Sequence, residues 1–184
     1  MKLTLTEPRY FKDSFLIISE LVNEANLRFY SDRVEIVAMD PANVAMVIFK
    51  LLSSAFSEYN VPDEKVIGIN LINFTQILKR VKPTDVLTLE LDETRNRLVV
   101  TLKGIATKKF ELGLLDIEEI EQKIPNLKFT TKVETNTILF NDAIEDMDII
   151  ADSLTFQVMN DRFILNSEGN VSSGNVEVGS NEET

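Results

Sequence analysis

The sequence predicts an α+β fold built from one repeated unit, a strand, a helix and three further strands. Three observations predict it. Three stretches carry apolar residues at helical spacing, the segments between them alternate with period two, and a turn-plus-arginine signature recurs. The signature reads Ser31-Asp32-Arg33-Val34, Arg95-Asn96-Arg97-Leu98 and Asn160-Asp161-Arg162-Phe163, so its arginines at 33, 97 and 162 are 64 and then 65 positions apart. Residue identity between the copies is weak, and the repeat lies in the order of elements. A chance alternation of helices and strands is the competing reading.

In chain order, Lys2–Thr6 alternates and reads as a strand, not a leader peptide, and Pro8 after it suits a first helical turn. Phe11, Phe15, Ile18 and Val22 then form one helical stripe; Phe74, Ile77, Leu78 and Val81 form a second; Phe140, Ala143, Ile144 and Met147 form a third. Asn70 and Thr137 are the expected N-caps of the later two helices. Strands are expected at 27–30, 34–39, 45–51, 65–70, 86–91, 97–103 and 107–112, then at 128–134, 153–159, 162–167 and 171–178. Leu114 to Asn126 breaks the pattern: it is acidic, ends in Pro125-Asn126, and reads as a connector. The expected organisation is therefore 1–113, a loop at 114–127, and 128–184, with a polar tail after Val178.

Composition narrows the chemistry. The 184 residues include no Cys, no His and no Trp. Disulfides, thiolate nucleophiles and zinc–thiolate sites are excluded, as are the commonest general base near neutral pH and the commonest transition-metal ligand. No apolar run approaches the roughly 20 residues of a membrane helix, and lack of Cys is compatible with an intracellular protein. The net charge is −11, which by itself opposes nonspecific DNA binding, because such binding relies on Lys and Arg neutralising phosphates. The placement of the positive charges therefore matters more than their total.

Several segments in order resemble the proliferating-cell-nuclear-antigen family of DNA sliding clamps, especially its archaeal members. They are Val37-Ala38-Met39-Asp40-Pro41-Ala42-Asn43-Val44, Ile67-Gly68-Ile69-Asn70, Ile77-Leu78-Lys79-Arg80, the connector Leu115-Asp116-Ile117-Glu118-Glu119 with Ile124-Pro125, and Glu168-Gly169 with Gly174-Asn175-Val176-Glu177-Val178. The resemblance implies two similar domains of two units each, three subunits closed edge to edge into a ring, helices lining the hole and duplex DNA passing through. Three of the four units are present here. The expectation is a form cut short inside its second domain, or an unusually short relative.

The resemblance also implies roles for residues. DNA would be met, independently of sequence, by Arg9 and Lys12 on the first helix and by Lys79, Arg80 and Lys82 at the end of the second. Without the resemblance, a solvated helix face is the favoured reading of these residues. The third helix departs from this picture with Asp142, Glu145, Asp146 and Asp148, and no Lys or Arg. A pocket for short partner peptides would use Met39, Val44, Met46, Ile120, Ile124 and Pro125, although unaided the first three are better read as core strand residues. The ring interface would join Thr107, Lys108, Lys109, Phe110 and Glu111 of one subunit to Gly174, Asn175, Val176, Glu177 and Val178 of the next, with lysines facing Glu177.

The implied function is a sliding-clamp subunit in a homotrimer or heterotrimer, without cofactor or catalytic activity, intracellular and associated with DNA. Implied partners are double-stranded DNA, the replicative DNA polymerase, flap endonuclease, DNA ligase and the clamp loader replication factor C, with no membrane. Two alternatives stay open: a monomeric peptide-binding adaptor that never encircles DNA, and a Mg²⁺ nuclease resting on Asp142, Glu145 and Asp146, which no nucleophile–base pair or phosphate loop supports.

Overall fold

The computed structural model describes residues 1–118 and 124–179. The chain forms two compact units, Met1–Ile124 and Pro125–Thr184. In the first unit the order is β1 (Lys2–Leu5), α1 (Arg9–Leu21), β2 (Glu24–Phe29), β3 (Arg33–Met39), β4 (Met46–Leu52), β5 (Glu58–Asn60), β6 (Lys65–Asn70), α2 (Leu71–Leu78), β7 (Val86–Asp92), β8 (Arg97–Lys103) and β9 (Thr107–Gly113). A single 3₁₀ turn, Ser53–Ala55, precedes β5. Neither that turn nor β5 was expected: three residues are too few to show a period.

These strands make two sheets, in the orders β4-β3-β2-β6 and β5-β1-β7-β8-β9. The first strand of each repeat does not stay with its own repeat. Strand β1 pairs antiparallel with β7, Leu3 opposite Leu89, while β6 pairs antiparallel with β2, Ile67 opposite Leu27. The two repeats exchange their opening strands, so neither sheet is complete without the other. Helices α1 and α2 lie against each other. Their stripes supply Phe11, Phe15 and Phe74, all essentially unexposed, and Phe15 sits 5.2 Å from Phe74 and 5.6 Å from Phe49, edge to face. Each such side chain contributes roughly 1.5–3 kcal/mol by leaving water, so this aromatic cluster fixes the helices on the sheets.

The recurring arginines are hairpin locks. Arg33 bonds Asp32 and Glu35, Arg95 bonds Asp92, Arg97 reaches Glu111 at 3.7 Å, and Arg162 bonds Asp161 and Glu177. Glu111 and Glu177 hold the same place in their repeats, each beside its turn arginine on the neighbouring strand.

The second unit holds α3 (Thr137–Asp148), β10 (Thr155–Val158), β11 (Arg162–Glu168) and β12 (Ser173–Gly179) in one sheet of order β10-β11-β12. Two expectations fail here. The strand expected at 128–134 is irregular chain. Its counterparts β1 and β6 are strands because β7 and β2 receive them, and this unit has no second sheet among its described residues to do so. The N-cap of α3 is Asn136, not Thr137: its carboxamide oxygen accepts from the Ile138 and Leu139 amides at 2.9 and 3.4 Å. Asn70 caps α2 as expected, accepting from Asn73 N at 2.9 Å.

Tyr59 ties β5 to the β2–β3 turn. Its hydroxyl lies 2.6 Å from Tyr30 O and 2.7 Å from Arg33 O, within reach of donating to either. Burial pushes the phenol up to about 12. The neutral form is favoured in the folded state, so its contribution is complete below the ordinary value near 10 and disappears as pH rises toward 12. The expected result is that Tyr59→Phe melts earlier than wild type at pH 8, and that the gap closes between pH 10 and 12. Thermal melts of both proteins across that range check it.

Candidate functional site

Three surfaces carry the candidate residues. The first is basic and lies where α1 begins and α2 ends. Arg9, Lys12 and Lys82 line one shallow crevice there with Pro8, Val81 and Pro83, so residues far apart in sequence meet. Lys79, the α2 C-cap residue, and Arg80 are exposed at the same helix end. Among the described residues, the one member of this group with an acid in ion-pair reach is Arg9, 3.6 Å from Asp13. The turn carrying Lys82 is rigid: Asp85, almost wholly buried, accepts from Lys82 N at 3.0 Å and donates its own amide to Lys82 O at 3.0 Å. Gly104 leaves room for the Asp85 carboxylate, which any Cβ there would strike.

The second surface is the outer face of the β4-β3-β2-β6 sheet. Met39 opposes Met46 and Val37 opposes Ile48, and side chains directly opposite share a face. The core is on the other face, lined by Val34, Ile36 and Ala38. Met39 and Met46 are therefore half-buried on the outside and are not core residues. Val44 projects from the hairpin tip at 85% exposure. That tip is clasped by Asp40, whose Oδ1 accepts from the amides of Val44 and Ala45 at 2.7 Å each. Those bonds, Ala45's first, hold the Asp40 carboxyl below the usual range, and Asn43 takes the positive φ of 56° that closes the turn.

Val37 and Ile48 were missed in sequence, although they share the parity of Met39 and Met46. Ile117 was missed too. The connector docks on the same sheet: Leu115 N donates to Gly68 O at 2.8 Å, Asn26 Nδ2 donates to Ile117 O at 3.4 Å, and a Cβ on Gly68 would lie 2.9 Å from Ile117. Ile124 and Pro125 are exposed; Ile120 lies outside the described residues.

The third surface is a pair of open strand edges. β9 ends the five-stranded sheet and β12 ends the three-stranded one. They alternate in step, with Lys108, Phe110 and Leu112 covered in one and Gly174, Val176 and Val178 in the other. Thr107, Lys109 and Glu111, like Ser173, Asn175 and Glu177, face solvent. The expected charge contact changes accordingly. Lys108 and Lys109 project to opposite faces, and Glu177 is already held by Arg162 at 3.1 Å. What the edges share is unpaired backbone, not complementary charge.

On α3, Ala143 and Met147 face the sheet while Asp142, Glu145, Asp146 and Asp148 are all exposed. Among the described residues no group of three or more carboxylates converges as a metal site would require, and no helix is long and apolar enough to cross a membrane.

Residues 1–123 match the family model of the proliferating cell nuclear antigen N-terminal domain. The chain is 38% identical over 151 residues to a DNA polymerase sliding clamp of Pyrococcus furiosus, covering 82% of this chain and 60% of that one. It is 38% identical over 159 residues to one of Thermococcus gammatolerans, covering 86% and 64%. The chain thus spans less than two thirds of these relatives' lengths. Among solved structures, the PCNA2–PCNA3 complex from Sulfolobus tokodaii superposes with a TM-score of 0.89 at 32% identity, over 97% of this chain and 73% of that one. PCNA from Thermococcus kodakaraensis gives 0.89 at 26%, over 97% and 72%.

Two substitutions probe the outer face. Gly68→Ala is expected to destabilise by about 1–3 kcal/mol, as overpacking does, and to speed amide exchange at Leu115; denaturant melts and hydrogen exchange measure both. Asp40, with its lowered pKa, stabilises the hairpin tip above the ordinary carboxylate range and loses this as pH falls through its depressed value. Exchange at Val44 and Ala45 is therefore expected to accelerate in acid, and in Asp40→Ala to be fast at every pH.

Proposed function

The chain belongs to the proliferating cell nuclear antigen family, and from that premise we propose that it serves as a subunit of a DNA polymerase sliding clamp. The observation that carries the proposal is the pair of open edges, β9 and β12, with matching alternation. An edge strand exposes a row of unpaired donors and acceptors. Joining β9 of one subunit to β12 of the next is a head-to-tail contact, which makes a ring when its rotation closes. Subunits of that ring are copies of this chain or of relatives, three in all.

Closure would hold the protein on duplex DNA by topology. That reading suits a chain of net charge −11, because retention then needs no strong attraction to phosphate. Arg9, Lys12, Lys79, Arg80 and Lys82 supply loose, sequence-independent contacts that centre the duplex. The acidic face of α3 adds no such contact, and carboxylates near phosphates repel by roughly 1 kcal/mol per close pair in water.

The outer-face patch of Met39, Val44 and Met46, extended by Val37, Ile48 and the connector, takes a short apolar and aromatic peptide of a partner enzyme; Ile120, Ile124 and Pro125 belong to the same proposal. Methionines suit a surface that adapts to several peptides. Replicative polymerase, flap endonuclease and DNA ligase are the partners this implies, and replication factor C the loader. Tethering raises their effective concentration at the DNA, so the chain needs no catalytic group or cofactor of its own. It would work inside the cell, on DNA.

Light scattering with cross-linking is expected to show trimers, alone or with a related subunit. Loaded rings are expected to stay on closed circular DNA and leave when it is cut. A protein that remains single with every related subunit, and leaves circular and linear DNA alike, would instead be a peptide-binding adaptor. Replacing Lys79, Arg80 and Lys82 by Ala is expected to leave assembly intact and to flatten the salt dependence of DNA binding. The log–log slope should fall by about 0.9 for each phosphate that is no longer neutralised.

A further inference from the structure

The outer face of the β4-β3-β2-β6 sheet is apolar only at the end near its hairpin tip. Outward side chains recur at every second residue, about 7 Å apart along a strand. From the tip, the pairs across β4 and β3 run Met46 with Met39, Ile48 with Val37, Lys50 with Glu35, and Leu52 with Arg33. Glu35 is also opposite Arg28 on β2, and Arg28 is opposite Val66 on β6. Residues directly opposite share a face. A charged row, Lys50–Glu35–Arg28, therefore crosses three strands immediately beside the apolar pairs.

The row carries more positive than negative charge. One oxygen of Glu35, Oε2, serves two cations: it accepts from Arg33 Nε at 3.0 Å and lies 3.5 Å from Lys50 Nζ. Arg33 is committed to its hairpin turn, where it also bonds both oxygens of Asp32 and lies over the Tyr30 ring at 4.1 Å. Setting Arg33 against Asp32 leaves Lys50 and Arg28 against Glu35. The row thus holds one positive charge in excess, in a chain of net charge −11. Lys50 is also its accessible member: its side chain is 49% exposed and that of Glu35 only 11%. An ammonium on a flexible stem can turn toward a second carboxylate that approaches from outside. A basic group brought to the same place meets two cations and one carboxylate already shared between them.

We propose that this row makes the outer face selective for peptides that carry an acidic side chain beside their apolar segment, with Lys50 as the residue that receives the carboxylate. The inference rests on the peptide-binding reading above and adds the partner's charge to it. The sheet sets the spacing. A peptide whose apolar side chain covers Val37 and Ile48 must place its acid about 7 Å further along β4, toward Leu52. That is about two residues of extended chain, or about four to five of helix. The row lies at one end of the apolar pairs, so it also sets the direction of the peptide: acidic end toward Leu52, apolar end toward the Asp40 tip. Charge placed at the rim of an apolar contact decides orientation and partner choice more than total affinity.

Synthetic peptides with a central run of leucine and phenylalanine test this, each carrying paired Asp, Asn or Lys on one flank or the other, titrated into the intact protein by calorimetry. On one of the two flanks the Asp peptide is expected to bind about three- to tenfold tighter than the Asn peptide at low salt, with the Lys peptide weakest. The difference is expected to shrink in high salt. Lys50→Gln is expected to bring the Asp-to-Asn ratio to about one, and Lys50→Glu to reverse it in favour of the Lys peptide, with circular dichroism unchanged in both. Ile48→Asp is expected to weaken all three peptides. In the protein alone a water-soluble succinimidyl ester is expected to acylate Lys50, and the Asp peptide to shield it, as read by mass spectrometry. Equal affinity for the three peptides overturns the inference and leaves the peptide site standing; no binding of any peptide overturns the site as well. A ratio that Lys50→Gln does not change places the acid elsewhere and overturns the inference. So does a Lys50 that resists acylation in the protein alone, because another part of the chain then covers the row.

Discussion

The exchange of opening strands between repeats is the contact on which the first unit depends. Strand β1 leaves its own repeat to pair with β7, and β6 leaves its own to pair with β2. Each repeat alone would leave a sheet edge bare and a row of apolar side chains wet. Together they complete both sheets and bring α1 and α2 onto one Phe cluster. The second unit shows the same physics from the other side. There 128–134, which alternates like an opening strand, pairs with no strand among the described residues and is irregular chain.

The candidate surfaces follow from what this closure leaves over. Helices packed on one face of the sheets free the opposite face, where Met39, Met46, Val37 and Ile48 share β3 and β4 and the connector docks on β6 at Gly68. The packing of α1 against α2 carries the end of one helix to the start of the other, so Arg9, Lys12 and Lys82 meet. The sheets are open, not barrels, so β9 and β12 remain as edges. Such edges are a liability unless something pairs with them, and ring assembly would turn that liability into the joint.

Electrostatics has a supporting part. The turn arginines and their carboxylates are mostly exposed, and pairs of that kind contribute at most about 1 kcal/mol each. They hold hairpins in shape and set no partner. The membership of the chain in the clamp family accords with an acidic protein in which five of the 19 basic residues gather where α1 begins and α2 ends.

The sequence by itself determined the helix stripes, most strands, the hairpin turns, the repeat and the exclusion of thiol, imidazole and disulfide chemistry. These are local: a period of two or 3.6 and a turn residue are written in neighbouring positions. Tertiary structure alone decided which strand each opening strand pairs with, and therefore that 128–134 is not a strand here although it alternates like one. It also decided that Met39 and Met46 face outward, that Lys108 and Lys109 point to opposite sides, and that Glu177 belongs to Arg162. Alternation says that a strand has two different faces; only the partner that covers one of them says which is the core.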